Sequence, residues 1–87
     1  MVSLEQVEAM IKGQIPDAIV KVQDLTGGGD HLQAVVVSDQ FAGKPLVKQH
    51  RMVYNAIEQE MATGAIHALA LNTYTFEDWD AAGQPTS

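Results

Sequence analysis

Two short apolar segments, His31 to Ser38 and Ile66 to Thr73, flank one long helical pattern, and that arrangement limits the fold more than any other feature. In the helical stretch Leu46, His50, Val53, Ile57 and Met61 step by 4, 3, 4 and 4 from an opening at Pro45. The spacing predicts one helix to about Ala62, stopped by Thr63-Gly64. A strand–helix–strand crossover returns parallel and right-handed, so the two segments are expected to be parallel neighbours. Val35-Val36-Val37 is too apolar for a solvent-facing edge, which makes the first of them the central strand.

The rest of the chain is read around that unit. Ser3 with Gln6 forms a capping box, and Leu4, Val7, Met10, Ile11 and Ile15 draw an apolar stripe along a first helix that Pro16-Asp17 ends. Ala18 to Leu25, with Ile19, Val20 and Val22 β-branched, reads as a strand. Thr26-Gly27-Gly28-Gly29-Asp30 turns it into an antiparallel hairpin with the second strand. Thr75 caps a last helix, Phe76 to Ala81, anchored by Phe76 and Trp79, and residues 83–87 read as a flexible tail. The order helix, strand, strand, long helix, strand, helix predicts an α+β fold, a three-stranded mixed sheet covered by helices on one face. At 87 residues the chain is one domain, spanning 1–87.

Composition excludes several functions. The sequence has no cysteine, so disulfides, thiol catalysis, a Cys-ligated zinc and a self-supplied thiolate iron–sulfur site are all ruled out. It holds 5 Lys and Arg against 11 Asp and Glu, a net charge of −6, which disfavours a general electrostatic nucleic-acid binder. No apolar run suits a membrane helix and the first residues do not read as a signal peptide, so a cytoplasmic location is expected. Glu58 and Glu60 sit at a helix C-terminus and do not suggest a catalytic pair. The triple glycine lies between two strands and fails the context of a phosphate loop. Nothing in the pattern reads as an enzyme.

Two groups of residues remain as candidates. His31 opens the second strand and His67 lies at the start of the third. If those strands are parallel, two imidazoles could converge at one end of the sheet as metal-competent nitrogens. The alternative is a solvated turn residue and an ordinary strand residue. His50 sits on the inward stripe and reads as a packed, structural histidine. Lys44, Lys48 and Arg51, spaced 4 and 3, are expected to share a helix face, which leaves two cations for the rest of the chain. That face suits an anionic ligand, partner or phosphate.

The stretch Phe41-Ala-Gly-Lys-Pro-Leu-Val-Lys-Gln-His-Arg-Met-Val-Tyr54 resembles the signature of the BolA family, a Phe-x-Gly loop followed by a His-Arg-x-Val-Tyr helix. Ile66 to Thr75, with Glu77-Asp78-Trp79, is similar to that family's C-terminal segment, and His31 to Ser38 to its second strand. The resemblance covers roughly Ser3 to Trp79. It implies a class II K-homology-like order, α-β-β-α-α-β-α, with a short helical turn near Asp39 to Pro45. The Gly-x-x-Gly loop of true K-homology domains is absent.

For function, the resemblance implies a non-enzymatic partner of monothiol glutaredoxins that co-ligates a glutathione-dependent [2Fe–2S] cluster, with none bound by the isolated protein. His67 matches the family's C-terminal histidine, and His31 matches the ligand of its variable loop, the histidine type. Gln49 departs from the arginine often found there. The competing reading is a DNA-binding transcriptional regulator using Lys44, Lys48 and Arg51. Alone, the chain is expected to be a monomer or weak homodimer.

Overall fold

The computed structural model describes residues 3–28, 31–66 and 68–83. The triple glycine's Gly29, Asp30, His67 and the tail from 84 lie outside the described residues. Helix α1 spans Leu4–Gln14, strand β1 Ile19–Asp24 and strand β2 His31–Val37. A 3₁₀ turn at Asp39–Phe41 leads to helices α2, Leu46–Ala56, and α3, Glu58–Ala62. Strand β3, Ala68–Tyr74, and helix α4, Phe76–Ala81, complete the order.

The sheet order is β1-β2-β3, with β1 antiparallel and β3 parallel to β2. The crossover argument therefore holds, and β2 is central. Its alternation is complete on one face, where Leu32, Ala34 and Val36 are buried against Val7 and Ile11 of α1 and Val53 and Ile57. Each fully buried aliphatic side chain contributes about 1.5–3 kcal/mol. Opposite this face, Ile19 of β1 is exposed. Val37 and Trp79 are buried outside the main cluster, and the Trp79 ring centroid lies 5.2 Å from that of Tyr74. Thus α4 shields its own small apolar corner at the end of β3.

Local signals act as the sequence suggests. The Ser3–Gln6 capping box forms in both directions. Thr75 Oγ1 accepts from the Asp78 N–H at 3.1 Å to start α4, and Gly64 turns the chain at φ 80° after α3.

The expected single helix from Leu46 to Ala62 is two. At Ile57 the backbone opens to φ −121°, ψ 20°, and its N–H bonds the Tyr54 carbonyl three residues back. Ile57 itself stays fully buried, so the helix is interrupted at a side chain that the core retains. A continuous apolar period cannot reveal such a break, because the stripe passes through it. The turn that the family resemblance implies near Asp39 to Pro45 is the 3₁₀ turn.

A polar network locks the C-terminal end of β2. Ser38 is fully buried, and its hydroxyl donates to Asp17 Oδ1 at 2.6 Å while accepting from the Gln40 N–H at 3.0 Å. The Asp39 N–H donates to Asp17 Oδ2 at 3.1 Å, and the Gln40 side-chain amide to Oδ1 at 3.2 Å. Asp39 Oδ1 in turn accepts from the Phe76 N–H at 3.4 Å. The loop after α1, the 3₁₀ turn and the start of α4 are thereby tied together.

The Ser38 hydroxyl, helped by the Asp39 and Gln40 donors and partly opposed by desolvation, holds the Asp17 carboxyl below its ordinary range. A depressed carboxylate stabilises the fold above the ordinary carboxylate range, and that contribution is lost as pH falls through the lowered folded value. Asp17→Asn is therefore expected to weaken the fold at neutral pH and flatten the acid limb of the stability curve, read by urea unfolding at several pH values. Ser38→Ala removes both the cap and a buried donor, and should cost about 1–2 kcal/mol by the same measurement.

Candidate functional site

The hairpin sets where His31 stands. Asp24 Oδ1 accepts from the Thr26 and Gly27 N–H groups at 3.1 and 2.9 Å, and Gly27 takes φ 81°. Beyond this turn the Leu25 N–H bonds the His31 carbonyl at 2.9 Å, which closes the hairpin on the first residue of β2. His31 is exposed there. Across the parallel ladder its register partner is Ala68, and neighbouring strands lie about 4.8 Å apart. His67, the other proposed ligand, lies outside the described residues. Of its chain neighbours, Ile66 is buried and Ala68 opens β3.

The three cations are positioned by different elements. Lys48 and Arg51 are exposed on α2, but Lys44 precedes Pro45 and belongs to the loop. Its Nζ donates to the Gln40 carbonyl at 2.6 Å, so it caps the 3₁₀ turn. The expectation of one shared helix face is corrected accordingly. The three still converge, because Lys44, Lys48 and Arg51 line one shallow groove with Met52 and Asn55.

His50 and Leu46 also depart from the inward stripe. Leu46 is 61% exposed, and His50 is half-buried on the flank of α2, in a second groove with Val47, Arg51 and Tyr54. The inward place in the first turn is taken instead by Gln49, four residues before the buried Val53. Gln49 Nε2 donates to the Lys44 carbonyl at 2.8 Å and the Phe41 carbonyl at 3.4 Å, while its Oε1 accepts from the Thr73 hydroxyl at 2.6 Å. It joins the loop, α2 and β3 through one side chain. The Tyr54 hydroxyl makes a second tie, donating to the Leu69 carbonyl at 3.2 Å.

Sequence reasoning noticed Gln49 only as a departure from a motif. Its signal was a polar residue at the i−4 position from a core valine, and the fold was needed to supply its partners.

The order of elements, the mixed sheet and the helix that carries His50, Arg51 and Tyr54 define the class. A family model described as BolA-like protein matches residues 5–78, and the chain belongs to that family. It is 39% identical over 89 residues to Protein BOLA2 of Arabidopsis thaliana, covering all of this chain and 94% of that protein. It is 32% identical over 87 residues to the DNA-binding transcriptional regulator BolA of Escherichia coli K12, covering 92% of this chain and 82% of the relative. Among solved structures, a bol-like protein from Babesia bovis superposes with a TM-score of 0.82 at 36% identity, covering 95% of both chains.

Gln49→Ala takes their side-chain partner from the Lys44 carbonyl and the Thr73 hydroxyl, the Phe41 carbonyl keeping the Lys44 N–H, and should destabilise the fold by about 1–2 kcal/mol in urea titration. Lys48→Ala, on the exposed face, is expected to stay within about 0.5 kcal/mol of wild type.

Proposed function

We propose that this protein is a non-enzymatic adaptor that shares a [2Fe–2S] cluster with a monothiol glutaredoxin and glutathione. The observation that carries the reading is the parallel pairing of β2 with β3, which sets His31 opposite the residue that follows His67. A histidine exposed at the end of a rigid strand, beside a sheet neighbour whose own start carries the second histidine in sequence, suits a joint site better than a buried one.

The donor chemistry fits. With no cysteine, the chain has imidazole nitrogens as its nearest equivalents to thiolate, and the thiolates come from glutaredoxin and glutathione. In this reading His67 and His31 are the ligands. When bound, the cluster supplies redox and transfer chemistry, and imidazoles in place of thiolates leave it less negative and raise its potential. Lys44, Lys48 and Arg51 then meet glutathione carboxylates or acidic groups of the partner. This serves iron–sulfur trafficking or iron and redox sensing, and a cytoplasmic setting suits such partners.

The name of the Escherichia coli relative keeps a second reading in view, that of a DNA-binding regulator. Against it stand the net charge of −6 and the engagement of Lys44 with the 3₁₀ turn, which leave Lys48 and Arg51 as the main phosphate contacts on that groove. Binding on those terms is weak and steeply salt-dependent.

The test is a visible absorption and circular-dichroism titration of cluster-loaded monothiol glutaredoxin with glutathione. Wild type is expected to give a new spectrum saturating at one to one. His67→Ala should abolish it, and His31→Ala should alter it. A spectrum indifferent to this protein would overturn the reading and leave DNA binding, measured at two salt concentrations, as the better account. Lys48→Glu with Arg51→Glu is expected to weaken the complex without changing its spectrum. Unaltered affinity would remove those cations from the interface.

A further inference from the structure

Strand β3 is an edge strand whose open side carries the means to bind another strand. The Ser38 N–H donates to the Tyr74 carbonyl at 2.9 Å, so Tyr74 turns its backbone polar groups toward β2. By the two-residue period, Leu69, Leu71 and Thr73 turn theirs to the open side. The Tyr54 hydroxyl agrees, since it reaches the Leu69 carbonyl there. Among the described residues that is the partner found on this side, and the N–H and C=O groups of Leu71 and Thr73 face outward.

Edge strands are ordinarily blunted by charge, proline or a covering element. The other edge, β1, carries Lys21 and Asp24, whereas Ala68-Leu-Ala-Leu-Asn-Thr-Tyr74 holds neither charge nor proline. Its outward-face residues Ala68, Ala70 and Asn72 are exposed and small enough to leave room for a neighbour.

Beside this edge lies the groove of about 380 Å³ formed by Val47, His50, Arg51 and Tyr54. Tyr54 belongs to both, lining the groove and bonding the edge. Val47 is 68% exposed and its neighbour Leu46 61%, two adjacent large apolar side chains on the surface at the groove. Arg51 supplies positive charge in a chain with more than twice as many acids as cations.

We infer that the open edge of β3 and the adjoining groove on α2 bind an extended acidic peptide segment of a partner protein. The segment adds a fourth strand by main-chain hydrogen bonds to Leu71 and Thr73. Alternate side chains point toward α2, an apolar one against Val47 and Tyr54 and a carboxylate onto Arg51. The charge-free edge gives affinity without sequence preference, and the groove gives the preference for apolar and acidic residues. The inference shares Arg51 with the adaptor reading but stands on the open edge. Its test needs neither cluster nor glutaredoxin, so the two can fail separately.

The probe is a blocked heptapeptide alternating glutamate with valine, added to the full chain and followed by amide NMR and hydrogen exchange. Shifts and slowed exchange are expected at the Leu71 and Thr73 N–H groups. A lysine–valine counterpart and an N-methylated version, which lacks the ladder donors, should each bind at least about tenfold more weakly. Arg51→Glu, on an exposed residue, should lower affinity for the acidic peptide about tenfold and raise it for the basic one. Absence of binding, or shifts confined to another surface, overturns the inference. So does tighter binding of oligothymidylate at the same amides, which assigns the groove to nucleic acid. Protection of those amides by self-association without peptide assigns the edge to a second copy of this chain.

Discussion

The parallel pairing of β2 with β3 is the constraint from which the other features follow. Parallel neighbours need a long connection, and the connection available is the helical stretch from Leu46 to Ala62. Laid across one face, it buries Val53 and Ile57 against Leu32, Ala34 and Val36. The same pairing puts the beginnings of the two strands side by side, with His31 across from Ala68. It also makes β3 an edge, because β2's other side is taken by the hairpin with β1. The placement of His31 and the open edge are thus two consequences of one topological choice.

Polar side chains hold this arrangement at the points where apolar packing runs out. At the C-terminal end of β2, Asp17 gathers donors from Ser38, Asp39 and Gln40, and Asp39 extends the network to α4. At the N-terminal turn of α2, Gln49 serves three partners on two elements. Both sites satisfy backbone groups that helix or turn termini would otherwise leave open. Each also has partners distant in sequence, Asp17 across the hairpin in Ser38, Asp39 and Gln40 and Gln49 across the crossover in Thr73, so the sheet must be in place for either to be complete. The small core is in this way supplemented by hydrogen bonds between elements, in a sequence with no cysteine for a disulfide.

Charge and apolar exposure are divided between surfaces. Most of the acids are spread over the chain, while Lys44, Lys48 and Arg51 border the grooves on α2, next to the exposed Leu46 and Val47. In the proposed reading this face takes carboxylates carried on an apolar scaffold, whereas the net charge of −6 repels a bare polyanion. In the proposed adaptor role the end of the sheet that carries His31 offers a different chemistry, that of imidazole nitrogen. The two functions proposed for this chain of 87 residues are placed on different parts of one sheet.

Local sequence determined the elements that rest on local physics. The Ser3–Gln6 box, the Thr75 cap, the glycine turn and the β-branched strands are short-range signals, and each forms where its residues stand. The crossover rule extended this to the strand order and the mixed pairing. The family resemblance located the 3₁₀ turn and nominated His31 and His67. Tertiary structure decided the rest. Ile57 breaks the long helix because the core holds its side chain while the backbone turns. Gln49, and not Leu46, faces inward because its amide finds carbonyls in the loop and a hydroxyl on β3. Lys44 leaves the helix face to cap the turn before it. Lys44 answers to the Gln40 carbonyl just before it, but Ile57 and Gln49 answer to the buried core and to Thr73 of β3, partners on other elements that periodicity cannot sense and only the assembled fold brings near.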